Sequence, residues 1–161
     1  MPSVQPYAVI DIDGVVADVR HRLYHLQARP KDWDAFFAAA TRDPVLPEGA
    51  AVASRLAADH DVVWLTGRPE RCHDDTVAWL HAAGLPGGSL RMRRYGDFRP
   101  ARVVKLEVLR TLARQRPVDV LVDDDQQVLG AAAAAGFAVY PADWMGREPT
   151  LAEAQESAGR T

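Results

Sequence analysis

Tyr7–Asp18 reads YAVIDIDGVVAD. Its first half is a short apolar run ending in an acid, the pattern of a strand buried on both faces. Asp11 and Asp13 stand two residues apart, so their side chains share a face if the strand continues. Further strands follow along the chain. Val62–Leu65 (VVWL) runs into Thr66-Gly67-Arg68-Pro69, Leu90–Met92 is a short third strand, and Val118–Val122 (VDVLV) enters Asp123-Asp124-Asp125. Phe137–Tyr140 is the last. Helices are predicted between them over 47–59, from Pro69 through 83, over 103–114 and over 126–135. Pro47 suits a first helical turn, and Gly84 and Gly136 suit helix ends. Strands alternating with helices predict an α/β domain, a mainly parallel sheet with helices on both faces.

The chain has 161 residues, enough for one such domain with a modest insertion. The expected organisation is a single domain over 1–145, in which 18–47 forms a small cap or insert, and a polar tail over 146–161 that reads as a frayed helix. WDAFFAAA at 33–40 reads as helix within the insert. A formal net charge of -3 gives no global positive field for nucleic acid or anionic lipid. A phosphate-bearing partner therefore has to be held by a local patch. Cys72 is the only cysteine, which excludes an internal disulfide and a cysteine-based metal cluster. The sequence shows no basic-then-apolar leader and no run long enough to span a bilayer, so the expectation is a cytoplasmic protein without a membrane partner.

In open parallel sheets, ligands sit at the carboxyl ends of the strands where strand order reverses. Asp11-Ile-Asp13, Thr66-Gly-Arg68 and Asp123-Asp124 all directly follow a strand. Taken singly, each is ordinary. An aspartate there is often a helix cap, a Thr-Gly-Arg is commonly a turn, and Lys105 alone reads as a solvated helix residue. Their joint placement at three strand ends points to one site. Carboxylates converging there repel unless a cation neutralises them, and hard oxygen ligands suit Mg²⁺. Phosphoryl transfer needs an in-line nucleophile, a proton donor for the leaving oxygen and positive charge around the equatorial oxygens. Thr66 offers a hydroxyl, Gly67 close backbone approach, Arg68 a fork for phosphate oxygens and Lys105 a point charge.

These residues resemble the haloacid-dehalogenase superfamily. DIDGVVAD at 11–18 is similar to its first motif, VVWLT at 62–66 to its second, Lys105 to its third and VLVDD at 120–124 to its fourth. A narrower resemblance is to the phosphatase domain of phage-type polynucleotide kinase/phosphatase, carried by TGRPE at 66–70, GDFRPARVVK at 96–105 and VDDDQQV at 122–128. The resemblance implies a Rossmann-like three-layer sandwich with a small cap insertion. It implies Asp11 as the nucleophile, forming an aspartyl-phosphate, and Asp13 as the acid that protonates the leaving oxygen and later deprotonates water. Thr66 and Lys105 hold the phosphoryl group, with Gly67 and Arg68 beside it, while Arg93 and Arg99 shape the substrate end. Asp11, the Asp13 carbonyl and Asp124 ligate Mg²⁺, supported by Asp123. Asp125 departs from the family pattern, which has a basic residue there. No GxxxxGK[ST] phosphate loop occurs, so the kinase half of that family is not expected here, and the resemblance leaves room for a separate kinase or ligase partner.

Arg91, Arg93, Arg94, Arg99, Arg102 and Lys105 form a basic strip opposed only by Asp97, with Tyr95 and Phe98 available for base stacking. A 3'-phosphatase for nucleic-acid ends or nucleotides predicts that this strip lines the approach to Asp11. A phosphatase for a small nucleotide or sugar phosphate predicts a closed cap and a strip facing elsewhere. A non-catalytic phosphate-binding module has no need of both Asp11 and Asp13.

Overall fold

Every residue of β1 (Tyr7–Ile10) is buried, as its unbroken apolar sequence requires, and the strand lies at the centre of the sheet. The computed structural model describes residues 3–161. β1 pairs in parallel with β2 (Asp61–Pro69) on one side and β4 (Val118–Asp123) on the other. β3 (Ser89–Arg93) and β5 (Val139–Pro141) are the edges, giving the order β3-β2-β1-β4-β5. The chain winds outward from β1 to β3, then returns to lay β4 beside β1. Strand order therefore reverses between β1 and β4, the point at which open α/β sheets bind their ligands. Ile10 is opposite Trp64 and Val122, so Asp11, Thr66 and Asp123 emerge at the same edge.

Two strands differ from their expected bounds for local reasons. β2 continues through Thr66, Gly67 and Arg68 because β3 re-pairs with it after a register shift, Leu65 with Arg91 and then Pro69 with Arg93. The helix expected after Pro69 accordingly begins later, as a 3-10 turn over Glu70–Cys72 that leads into the helix His73–Ala82. β5 starts after Phe137 because that residue closes the preceding helix: Gly136 takes φ 93° and Phe137 N–H donates to the Ala132 carbonyl.

The sheet is covered on both faces, which makes a three-layer sandwich. The short helices α1 (Tyr24–Gln27) and α2 (Trp33–Ala38) belong to the insert; α3 (Pro47–Ala57) and α4 (His73–Ala82) pack on one face of the sheet. Ile10, Trp64, Val52, Trp79 and Leu80 form that core. α5 (Ala101–Ala113) and α6 (Gln126–Ala134) cover the other face with Val9, Leu65, Leu109, Leu112, Leu121 and Val128. Each such side chain contributes about 1.5–3 kcal/mol on burial. α3 approaches the chain after β1 so closely that a Cβ at Gly49 would overlap the Val15 carbonyl.

Residues 18–47 build a third cluster. Val19, Leu23, Leu26, Phe36, Phe37 and Leu46 pack together, and Asp32 caps α2 by accepting from Ala35 N at 3.0 Å. The last stretch of the chain joins them. The expectation of a frayed tail is corrected here: α7 (Pro149–Ala152) runs into a π turn over Glu153–Ser157, with Leu151 and Ala154 buried in the insert's cluster. Two apolar residues three apart suffice to seat so short a helix, yet are too few to show a periodicity.

Candidate active site

Asp11 leaves β1 at the sheet edge, buried, with Oδ1 accepting from Ile12 N at 2.7 Å. Its Oδ2 accepts no well-formed hydrogen bond and lies 3.2 Å from Lys105 Nζ. Lys105 comes from α5, buried, and donates to Asp123 Oδ2 at 2.6 Å. Burial works against the ammonium, but the charges of Asp11 and Asp123 outweigh it and hold Lys105 above its ordinary range. Burial, reinforced by Asp123, pushes Asp11 up to about 8 against the pull of Lys105. Burial and the charges of Asp11 and Asp123 likewise raise Asp124. Asp125 caps α6 by accepting from Gln127 N, and burial with the neighbouring Glu156 carboxylate raises it to about 7.

Asp11, Asp123 and Asp124 each offer an oxygen within 4.8 Å of the others. Crowded, desolvated carboxylates with an unsatisfied Asp11 oxygen fit a hard divalent cation such as Mg²⁺. Gly14, at φ 81°, leaves room for Asp124, whose carboxylate a Cβ there would overlap. Asp123 is otherwise engaged, since Oδ1 accepts from Asp125 N at 2.9 Å and Oδ2 from Lys105. Asp11 and Asp124 are therefore the carboxylates open to a metal.

The Asp13 side chain points away from this acid cluster. Its Oδ1 accepts from Arg68 Nη2 at 2.6 Å, Arg68 Nε at 2.9 Å and Arg22 Nη2 at 3.1 Å, and Oδ2 accepts from Thr161 Oγ1 at 2.9 Å. Burial would raise Asp13, but Arg68 and Arg22 overcome it and hold the carboxyl well below the usual range. Asp43 completes the network: it accepts from Arg22 Nε and Nη2 at 2.8 Å, from Arg68 Nη2 at 3.1 Å, and faces His21 Nε2 at 2.6 Å. Arg22, Arg68, Asp13 and Asp43 are all buried. Arg68 thus orients Asp13, and its guanidinium is engaged within the protein. Sequence reasoning missed Asp43 and Thr161.

Thr66 is buried, its hydroxyl accepting from Arg68 N at 3.2 Å, and Gly67 lies beside it. Arg93 borders the site, buried, donating to the Gly67 carbonyl at 3.0 Å and to the Arg99 carbonyl at 2.7 Å. Arg99 is not brought to the site. It pairs on the surface with Asp97 at 2.8 Å and Glu107 at 2.7 Å. Those hydrogen bonds from Arg99 hold Asp97 down at about 2. The basic strip disperses: Arg102 pairs with Glu156 at 2.5 Å, and Arg91 lines a cavity with Gly87, Gly88 and Arg116 at the opposite ends of the strands. Arg94 and Tyr95 remain exposed beside a groove of about 120 Å³ that includes Phe98 and Arg160.

The family model for the polynucleotide kinase PNKP phosphatase domain matches residues 6–142. The chain belongs to that family. As a PNKP-type phosphatase domain it is a phosphatase of the haloacid-dehalogenase class, and solved structures show the same fold. Two are chains of Pnkp1/Rnl/Hen1 complexes, the first described as an RNA repair complex. One is 22% identical over 85% of this chain with TM-score 0.67, the other 23% identical over 88% with TM-score 0.68. This chain spans 42% and 47% of their respective lengths. A haloacid dehalogenase-like hydrolase from Streptococcus pneumoniae is 14% identical over 97% of this chain and 93% of its own, with TM-score 0.63. No curated protein sequence matches it. Among the described residues, no helix is long and apolar enough to cross a membrane.

Proposed function

We propose that this PNKP-type domain is a Mg²⁺-dependent phosphomonoesterase that works through an aspartyl-phosphate and removes 3'-phosphate from nucleic-acid ends or nucleotides. The observation that carries the chemistry is the position of Asp11, buried at the strand-order reversal with Lys105 on one oxygen and a second acid pair within reach. Asp11 attacks phosphorus as the bond to the leaving oxygen breaks, and Asp13 gives that oxygen its proton. Water then gives a proton to Asp13, attacks the aspartyl-phosphate and releases phosphate. Arg68 and Arg22 favour the Asp13 anion, so in this arrangement Asp13 is set to take the proton of water, and it carries one for the leaving oxygen only once these contacts loosen. Lys105 and Thr66 steady the transferring oxygens. Mg²⁺, when held by Asp11, Asp124 and the Asp13 carbonyl, supplies neutralisation of the carboxylates and of the phosphoryl charge.

The nucleic-acid reading is supported by the family and by the RNA repair complex to which the first Pnkp1 chain belongs. It also carries the proposal of a separate kinase or ligase partner. A second reading, a phosphatase for small nucleotide or sugar phosphates, is favoured by the dispersed arginines and by Thr161 covering Gly67. Phosphate release from a 3'-phosphorylated oligonucleotide and from nucleoside 3'- and 5'-monophosphates, with Mg²⁺ or chelator, separates them. We expect Mg²⁺-dependent release that falls to background in Asp11→Asn and favours the oligonucleotide. Release from the monophosphates alone would move the substrate to metabolism.

A further inference from the structure

Residues 153–161 lie across the mouth of the site and touch the groups assigned to the chemistry. Gln155 Nε2 comes within 3.5 Å of Asp124 Oδ1. Thr161 Oγ1 donates to Asp13 Oδ2, its carbonyl lies 3.4 Å from Arg93 Nη2, and its backbone fills the space over Gly67, where a Cβ would overlap it. Between these anchors Gly159 takes φ 60° and presses on the Phe98 and Arg99 carbonyls, leaving no room for a Cβ. Arg160 lays its guanidinium 4.4 Å from the Phe98 ring centroid and 5.3 Å from that of Trp33. Its N–H donates to the Ala154 carbonyl at 2.9 Å. Lys31–Glu153 at 2.8 Å and Arg102–Glu156 fix the base of the segment.

A hydroxyl donating to Asp13 is what the product alcohol presents once it has received the proton. Gly67, in turn, is where a phosphoryl group needs close backbone approach. We propose that Glu153–Thr161 is an intramolecular pseudosubstrate, a strap seated where the leaving group and part of the phosphoryl group belong. It must swing out before a phosphoester enters. The proposal rests on the phosphatase reading of the same site. Its consequence is quantitative: apparent substrate affinity is the intrinsic affinity multiplied by the fraction of molecules with the strap open.

Two variants open the strap without altering Asp11, Asp13, Thr66, Lys105 or Asp124: Gly159→Val, and a chain ended after Ala158. With a small aryl phosphate and Mg²⁺, both should lower KM by about tenfold at unchanged kcat, the change for a strap open about one part in ten. In the unaltered protein, saturating inorganic phosphate with Mg²⁺ should accelerate hydrogen exchange at the Arg160 amide. Turnover with KM unchanged in both variants would overturn the strap, and so would an Arg160 amide indifferent to phosphate. Absence of turnover in every variant would instead remove the phosphatase reading, and the exchange measurement then judges the strap alone.

Discussion

Asp43 presents both carboxylate oxygens to Arg22 and a second contact to Arg68, while its backbone carbonyl accepts from Trp79 Nε1 at 3.0 Å. With Asp13 it forms a buried quartet of two carboxylates and two guanidiniums. Removing one partner from such a set strands charge in a medium that cannot solvate it. Asp43→Ala should therefore cost about 3–5 kcal/mol, read as a lowered urea midpoint. A loss below about 1 kcal/mol, the scale of an exposed pair, would mean the quartet is not cooperative. Asp13→Asn removes the carboxyl proposed to move the proton, and should lower phosphate release by about 10²–10⁴-fold in the fraction that remains folded. Residue by residue, the common placement of Asp11, Thr66 and Asp124 at strand ends was legible in the sequence, and Lys105, inside α5, was legible only through the family motif. Asp43 was not: it sits between Arg42 and Pro44 in an irregular stretch, and only the folded insert brings it to Asp13.

The same limit applies to elements. β1 announces itself through an unbroken apolar run and β4 through one interrupted only by Asp119, but β2 runs on through polar Thr66-Gly-Arg because of pairing by β3, a long-range cause that no local pattern carries. Another cross-element link is His60, in the turn from α3 to β2. Its Nδ1 faces Asp59 at 2.6 Å and the Leu56 carbonyl at 3.1 Å, and Nε2 faces Asp119 of β4 at 3.1 Å. Burial opposes protonation, but these acceptors outweigh it and raise His60 above its ordinary 6.5. The stabilisation is thus fully present below the unfolded pKa and disappears as pH rises through the higher folded value. His60→Gln should destabilise below pH 6.5 and lose that effect as pH rises through the folded value, measured by denaturant midpoints across the pH range. An equal effect throughout that range would show that the links act as neutral hydrogen bonds.

At the scale of the whole molecule, two facing cores hold the sheet while a third joins the insert to the final helix, and the acid cluster lies at the edge of that sheet. The cores stabilise the fold; the crowded carboxylates oppose it. Asp11 is raised from 3.8 to about 8, so in metal-free protein the folded state binds a proton that the unfolded chain has already lost. The stabilisation this proton gives is complete below the unfolded value and is lost as pH rises through about 8. Metal-free protein should therefore melt at progressively lower temperature from mildly acidic to alkaline pH. Saturating Mg²⁺ replaces that proton, so the slope should flatten as Tm rises. At a concentration of about a hundred times Kd the gain is about 2.7 kcal/mol, or roughly 5–10 °C for a domain of this size. Asp124→Asn should abolish the Mg²⁺ shift. Asp11→Asn should in addition raise the metal-free Tm at pH about 8 and above, because it removes the charge that burial penalises. A metal-free Tm in Asp11→Asn equal to the parent's at every pH would show that the acid cluster carries no repulsion for a cation to relieve.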